Sequence, residues 1–261
     1  MAYLTSIDWP ELATLILLGL LPSAVWLWYY LRKDNHPEPK MMVLGVFWYG
    51  FLGTFFAFSA EWAFMKTLAD TALGCGDCGN KSIGNLDALG TVAVSSFFIL
   101  GTLAFIEEIA KYLSAKIKII RSAAFDEPID AMIYLIVAAL GFAAAENIGY
   151  VFQAKDAATA VGVTFYRFIS ATALHTLASA VVGYFLALSI IHKKHPLPYV
   201  GAGLLFATLL HTLFNFLIIL SEENSAMVTS VVLLMIVMFF FVSELFVHVK
   251  RLHFEKLENR I

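Results

Sequence analysis

Long apolar stretches alternate with short polar breaks along almost the whole chain of 261 residues. A membrane core about 30 Å thick takes roughly 20 apolar helical residues to cross. Seven stretches reach that length before charge, proline or glycine interrupts them, at approximately 10–31, 41–65, 89–113, 131–152, 163–191, 197–220 and 226–249. We therefore predict an all-α membrane protein with about seven transmembrane helices, forming a single domain over 1–261.

The composition agrees with this interpretation, because 60% of the residues are hydrophobic and 14% are charged, against about 45–50% and about 25% in soluble domains. The net charge of −3 leaves no basic surface that would neutralise a nucleic-acid backbone. We expect the lipid bilayer, and no nucleic acid, as a partner. Asp8 and Glu11 stand where a signal peptide would be basic, so the first stretch is expected to remain as a helix.

The positive charges fall mainly in alternate loops of this predicted topology. Twelve lysines and arginines lie on one side and three on the other, while Lys111 and Arg167 stay inside predicted helices. Because short cytoplasmic loops retain positive charge, the N-terminus is predicted outside and the C-terminus in the cytoplasm.

Cys75 and Cys78 are the two cysteines of the chain, and both lie in the longest outer loop. An oxidising compartment permits a disulfide there. A zinc centre built from cysteine alone is excluded, since it needs about four ligands. We prefer a small structural disulfide to a redox pair, which would need a βαβ context.

Charged side chains inside the predicted helices are the first candidates for function, because each costs at least about 2.5 kcal/mol at the membrane centre. Glu107 and Lys111 are four residues apart on the third helix, in the favourable order of Glu before Lys. Glu108 points about 100° away from Glu107, so we expect one carboxylate to be chemical and the other structural. The structural alternative is a snorkelling cluster at the cytoplasmic end.

Polar side chains recur in the later helices as Glu146, Asn147, Arg167, His175, His211 and Asn215. Glu146 has no charge partner on its own turn and must find one on another helix. His211 and Asn215 share one helix face, so both can donate hydrogen bonds to the same small group. For each histidine, ordinary hydrogen-bonded packing is the structural alternative.

Taken in order, these motifs resemble those of the PrsW family of bacterial intramembrane proteases. The matching positions are Glu107-Glu108-x-x-Lys111, Asp130-x-x-x-Tyr134, Gly141-Phe142-x-x-x-Glu146-Asn147, Arg167 with His175, and His211-x-x-x-Asn215. The acid-and-proline turn at 34–39 is also similar to the family's, and the resemblance covers roughly 30–220. It implies a multi-pass protein of a bacterial or archaeal plasma membrane that hydrolyses a peptide bond in or near the membrane. The implied substrate is a membrane-anchored regulator such as an anti-sigma factor.

A more remote similarity links the chain to the prenyl-protein (CAAX) endopeptidases, which share a Glu-Glu motif and a later His-x-x-x-Asn. That group would place Arg one residue beyond Lys111 and His where Glu146 stands. These two departures argue against prenylated substrates.

The residue types suggest a mechanism for such a protease. We expect Glu107 to take a proton from water as general base and His175 to orient that water or share its proton. His211 and Asn215 would stabilise the oxyanion, and Glu146 would be a second acid or would orient a histidine. Glu108 is the alternative catalytic acid, and the supporting residues are Lys111, Asn147 and Arg167.

A zinc-dependent version uses nearly the same atoms, with His175, His211 and either Glu107 or Glu146 as ligands. The chain has no His-Glu-x-x-His helix, the usual zinc signature of proteases. Metal-free glutamate catalysis is therefore slightly preferred, and the cofactor is either none or zinc.

The predicted helix ends create a geometric difficulty. At about 1.5 Å per residue, Glu107 and His175 lie roughly 10 Å nearer the cytoplasm than Glu146 and His211. Tilt, kinks and uncertain helix ends can absorb about that much, and Gly141 and Gly149 would permit close approach of the fourth helix.

Two other classes of protein use intramembrane charges. A proton- or ion-coupled transporter or channel would line its pathway with them, although the repeat halves common in transporters are not visible here. A binding scaffold would use them only to join helices, and would tolerate single substitutions.

Overall fold

The structure is a computed structural model that describes residues 9–33, 36–73, 86–119 and 122–258. All regular elements in these ranges are helices. They are α1 (Trp9–Leu31), α2 (Lys40–Leu73), α3 (Leu86–Ile119), α4 (Asp130–Val151), α5 (Ala157–Ile169), α6 (Ala171–His192), α7 (Pro196–Glu223) and α8 (Met227–Glu258).

Six segments of the described chain are long and apolar enough to span a membrane, and α5 with α6 counts as one of them. The remaining long helix, α3, carries Glu107, Glu108 and Lys111 within its apolar part and packs among the others, against α2, α4, α6 and α7. The prediction of an all-α, multi-pass membrane protein is thus confirmed.

Helix α4 lies at the centre of the bundle, with every residue from Asp130 to Ala144 buried. It packs against α1, α2, α3, α5 and α6. The outer helices instead expose large apolar side chains, among them Trp48, Phe55 and Phe240. In a bilayer these side chains face lipid, so the most protected surface of the molecule surrounds α4.

Glycines allow other helices to approach α4 closely. A Cβ atom on Gly141 would lie 1.9 Å from the Phe47 carbonyl oxygen of α2, and one on Gly183 would lie 2.5 Å from Met132 Cα. Small residues commonly permit this packing in membranes. At Gly149, by contrast, an added Cβ meets nothing within 4 Å, so the close approach expected at this helix involves Gly141.

The predicted span 163–191 is divided into two helices. Helix α5 ends at Ile169, Ser170 has φ −112° and ψ −94°, and α6 begins at Ala171. The Trp26 indole of α1 donates a hydrogen bond of 2.9 Å to the Phe168 carbonyl at this break. The exposed carbonyl group is thereby satisfied, which allows the chain to leave the helical path inside an apolar run.

Helix α5 begins after Asp156, whose carboxylate accepts a hydrogen bond of 2.7 Å from the Thr159 backbone N–H. This hydrogen bond keeps the pKa of the Asp156 carboxyl below its ordinary value. An acidic cap of this type satisfies the free donors of the first helical turn. It fixes the start of α5, and therefore the place where Arg167 enters the bundle.

Four carboxylates and a tyrosine join the α1–α2 connection to the start of α4. We call this group the loop cluster, and its members are Glu38, Asp126, Glu127, Asp130 and Tyr134. Asp130 Oδ2 accepts backbone hydrogen bonds from Asp126 (3.0 Å) and Glu127 (2.7 Å). The Tyr134 hydroxyl donates a hydrogen bond to Glu38. The Asp130-x-x-x-Tyr134 motif is therefore part of the contact between these two connections.

Candidate functional site

A buried group of charged side chains lies where α3, α4, α6 and α7 meet. We call it the polar cluster, and its members are Glu107, Glu108, Lys111, Glu146, His175 and His211. Lys111 is fully buried, and Glu108, His175 and His211 are each at most 3% exposed. The structure thus brings together residues from four helices that the sequence selected one motif at a time.

The expected depth difference between these residues does not occur, mainly because α3 is longer than predicted. It ends at Ile119 instead of 113, which moves Glu107 about 9 Å further from the C-terminal end of its helix. Glu107 is then about 18 Å from that end, and Glu146 is about 24 Å from the start of α4. The remaining offset is small enough for neighbouring helices to absorb.

Glu108 is fully engaged by its neighbours. Its Oε1 accepts a hydrogen bond from Lys111 Nζ at 2.5 Å and lies 2.9 Å from His211 Nδ1. Its Oε2 accepts a bond of 3.5 Å from the Ser179 hydroxyl. With both oxygens occupied, this carboxylate orients Lys111 and the His211 ring.

Glu107 differs from Glu108 because its Oε2 atom is buried and makes no hydrogen bond with any described residue. This oxygen lies 3.7 Å from His211 Nε2, 3.8 Å from His175 Nδ1 and 4.0 Å from Lys111 Nζ. The side chain is 13% exposed. Glu107 therefore presents a free carboxylate oxygen to two imidazole rings at the centre of the cluster.

Glu146 contacts charged or polar partners on two other helices, as its position in the sequence led us to expect. Its Oε2 lies 3.0 Å from His175 Nε2 and accepts a hydrogen bond of 2.9 Å from Arg167 Nη2. The side chain is 21% exposed, the most accessible of the three carboxylates. Glu146 thus links the α6 histidine to the α5 arginine.

Asn147 holds Arg167 in position for its contact with Glu146. Arg167 Nε donates a hydrogen bond of 2.5 Å to Asn147 Oδ1, and Asn147 Nδ2 donates one of 3.0 Å to the Thr172 hydroxyl. The Arg167 guanidinium also lies 4.0 Å from the centre of the Tyr150 ring. These contacts fix the guanidinium and, through it, the orientation of Glu146.

Three residues of the cluster have the types and spacing of a metal site: Glu107, His175 and His211 offer ligand atoms within 4.8 Å of one another. Ligands about 2.0–2.1 Å from a tetrahedral zinc ion are about 3.4 Å apart, close to the 3.7 and 3.8 Å found from Glu107. Each histidine also faces a carboxylate with its other ring nitrogen. Such carboxylates commonly orient metal-binding histidines, so these residues fit a metal ion.

Within the described chain, Lys111 is the one cationic side chain that would compete with a metal ion for a ligand atom. Its Nζ lies 2.9 Å from His175 Nδ1, the nitrogen that also faces Glu107. A cation on that nitrogen requires the ammonium group to remain on Glu108, its closer partner at 2.5 Å.

The other candidates from the sequence are not part of the cluster's contacts. Asn215 is half-buried one turn after His211, and it makes no hydrogen bond with a described residue. Cys75 and Cys78 lie outside the described residues, so the disulfide stays a prediction.

Glu61 of α2 is a further acid near the cluster, which the sequence indicates as a charge close to a helix end and not as a member of the site. It is half-buried, and its Oε1 atom is buried without a hydrogen bond to the described residues. Its charge interacts with those of Glu146 and Lys111. The predicted span 41–65 placed Glu61 near a helix end, whereas α2 continues to Leu73. The feature that could have identified Glu61 from the sequence is an acidic residue inside an apolar helix.

Comparison with known proteins gives a consistent result over most of the chain. Residues 38–243 match the family model described as PrsW family intramembrane metalloprotease. The match contains every motif of the polar cluster and extends into α8, beyond the 30–220 of the resemblance noted above. No solved structure matches the chain.

Several curated proteins named "Protease PrsW" are similar to the chain. The one from Geobacillus kaustophilus is 26% identical over 211 residues, which cover 80% of this chain and 82% of that protein. The one from Clostridioides difficile is 24% identical, covering 79% of each chain. The one from Bacillus subtilis is 25% identical, covering 77% of this chain and 80% of that protein.

Proposed function

This chain belongs to the PrsW family of intramembrane metalloproteases, and we propose that it cleaves a membrane-anchored protein at the polar cluster. The observation that carries the proposal is the free Oε2 atom of Glu107, which faces one nitrogen each of His175 and His211. A buried polar atom without a partner costs about 1–3 kcal/mol. A bound ion or reacting group would compensate for that cost.

Glu107, His175 and His211 are the residues that would hold the ion, and zinc suits this donor set. When bound, zinc polarises a carbonyl group and makes a water molecule more acidic. The carboxylates behind both histidines favour this version over metal-free catalysis, since they hold each ring with one nitrogen directed towards Glu107.

Glu146 is the residue best suited to move a proton in the reaction. Arg167 and His175 both contact its Oε2, and its other oxygen makes no hydrogen bond with a described residue. That oxygen takes a proton from water as the water oxygen attacks the peptide carbonyl carbon. It then returns the proton to the leaving nitrogen when the C–N bond breaks.

Asn215 and Glu108 have separate roles in this proposal. The Asn215 amide makes no hydrogen bond with the described residues and lies one turn from His211, so it donates to the developing oxyanion. Glu108 keeps His211 and Lys111 in place and does not react, because its own oxygens are occupied.

The position of the cluster favours a substrate that is itself in the membrane. It lies between α3 and the helices α4, α6 and α7, which are apolar and long enough to span the bilayer, so a membrane-anchored chain is already at the level of the cluster. The family resemblance points more narrowly to a membrane-anchored regulator such as an anti-sigma factor. Water must reach the cluster through a polar opening, since lipid supplies none.

The proposal is tested by comparing new protein N-termini, by mass spectrometry, in cells that express wild type or Glu107→Gln at equal membrane levels. Glu244→Gln is the matched control, because Glu244 is an exposed carboxylate on α8. We expect new termini in membrane-anchored proteins with wild type and Glu244→Gln, and a loss of at least about 100-fold with Glu107→Gln, because a proposed metal ligand contributes more than the roughly 10–100-fold typical of the residues behind the ligands.

Retained cleavage in the Glu107→Gln variant would remove Glu107 from its role. Ion or solute flux in sealed vesicles that contain wild type, without new termini, would instead favour a transporter.

A further inference from the structure

We propose that Glu61 of α2 is a positioning residue of the same site, a fourth carboxylate that holds the water beside the bound cation and strengthens cation binding. This inference rests on the proposed metal site. It concerns a residue on a helix that contributes nothing else to the polar cluster, and it is argued from packing, hydrogen bonding and charge.

Packing directs one stripe of α2 towards the cluster. The Thr54 hydroxyl donates a hydrogen bond of 3.1 Å to the Phe142 carbonyl of α4, and Ala57 packs against Phe142 and Ala110. Residues three and four apart share a helix face, so Glu61 extends this stripe by one turn.

The neighbouring helices reach the cluster at the same level. Glu107 is three residues before Ala110 on α3, and Glu146 is four residues after Phe142 on α4. The next turn of α2 after Ala57 therefore lies beside both carboxylates. The interactions of the Glu61 charge with Glu107, Glu146 and Lys111 agree with that placement.

Hydrogen bonding leaves Glu61 available for a ligand. Its Oε1 atom is buried and has no hydrogen-bond partner among the described residues. Glu107 Oε2 is in the same condition. Two buried carboxylate oxygens without hydrogen-bond partners on neighbouring helices are costly in a membrane protein unless another group donates hydrogen bonds to them or carries positive charge.

The charge balance indicates a divalent cation. Within the described part of the chain, Glu61, Glu107, Glu108 and Glu146 are opposed by the permanent cations Lys111 and Arg167. With all four carboxylates ionised, two negative charges remain, which one divalent ion would compensate. Glu61 is outside the three ligands that lie within 4.8 Å of one another, so it acts on the ion through water.

The test measures zinc binding to the purified full chain in detergent, by competition with a chelator, for wild type, Glu61→Gln and the control Glu244→Gln. Substitution of a carboxylate that lies behind the ligands of a metal site typically weakens metal binding about 10–100-fold. We expect Glu61→Gln to weaken zinc binding at least about tenfold with unchanged stoichiometry, and Glu244→Gln to bind like wild type.

Thermal unfolding separates this role from a structural one. Without metal, Glu61→Gln should not lower the Tm, because the buried Oε1 atom of Glu61 makes no hydrogen bond that the variant would lose. The rise in Tm on adding zinc should shrink. A lower metal-free Tm together with an unchanged zinc increment would overturn the inference, since it would make Glu61 a structural residue.

Equal zinc affinity in wild type and Glu61→Gln would overturn the inference while leaving the proposed metal site intact. Absence of zinc binding by wild type would instead overturn the metal site, and this inference with it. If Glu61→Gln does not fold, Glu61→Asp provides the same test: the shorter side chain should also weaken zinc binding, and wild-type affinity would contradict the inference.

Discussion

The polar cluster and the loop cluster are both built from carboxylates, but they differ in how those carboxylates are satisfied. In the loop cluster, Asp130 accepts two backbone hydrogen bonds and Glu38 accepts one from Tyr134. In the polar cluster, Glu107 and its neighbour Glu61 each keep a buried oxygen without a hydrogen bond to the described residues. The two regions therefore use the same chemical group for different purposes.

The difference gives a criterion for separating structural from reactive acids in this protein. A carboxylate whose oxygens all have protein donors lowers the free energy of the fold, and its removal leaves donors unsatisfied. A carboxylate with a free buried oxygen raises the free energy of the empty site, and its removal affects function more than folding. The criterion also distinguishes two adjacent residues: both oxygens of Glu108 accept hydrogen bonds, whereas Glu107 keeps a buried oxygen without one.

Glu107→Gln provides the largest expected effect. Cleavage should fall at least about 100-fold, because the variant removes a proposed metal ligand. The free energy of unfolding should change by less than about 1 kcal/mol, because the free oxygen makes no hydrogen bond to lose. Cleavage of a membrane-anchored substrate and thermal unfolding in detergent check the two parts. Unfolding of the variant at a much lower temperature would break the comparison, since it would make Glu107 structural.

Asp130→Ala should show the opposite pattern. It leaves the Asp126 and Glu127 backbone N–H groups without their acceptor, which costs about 1–3 kcal/mol of stability. The measurement is the Tm of the purified variant, together with activity per folded molecule. Activity should stay near wild type, and a variant that folds normally but does not cleave would place Asp130 in the reaction.

Arg167→Lys should cause a smaller loss of activity than Glu107→Gln and a smaller loss of stability than Asp130→Ala. A lysine keeps the positive charge but cannot contact both Glu146 and Asn147 as the guanidinium does. We expect kcat to fall about tenfold with bound zinc retained, the range typical of residues that orient catalytic ones. Unchanged kcat would show that the orientation of Glu146 does not limit the reaction.

Much of the fold was predictable because membrane helices are specified by length and hydropathy. The starts of α1, α2, α4 and α7 lie within one residue of the predicted stretches 10–31, 41–65, 131–152 and 197–220. The break at Ser170 was not predictable from hydropathy, since neither proline nor glycine marks it and a Trp26 side chain from another helix satisfies the exposed carbonyl. The extra length of α2 and α3 was missed because polar helical turns continue beyond the apolar core.

The members of the polar cluster were predictable from the sequence, but the contacts between them were not. Charges inside apolar helices identified Glu107, Glu146, His175 and His211, because each is costly there. Which carboxylate faces which imidazole depends on helix rotation and depth, and an error of about 9 Å in the end of α3 accounts for most of the depth difference expected between them. Glu61 was missed for the same reason, through the end assigned to α2.

The most direct test of the central claim is the zinc content of purified, active protein, measured for wild type and His175→Ala. His175 offers Nδ1 to the region of Glu107 and Nε2 to Glu146, so the variant removes one ligand. We predict about one zinc ion per chain in wild type, and its loss together with activity in the variant. Full activity of wild type without stoichiometric zinc would contradict the account and return Glu107 to the role of a metal-free general base.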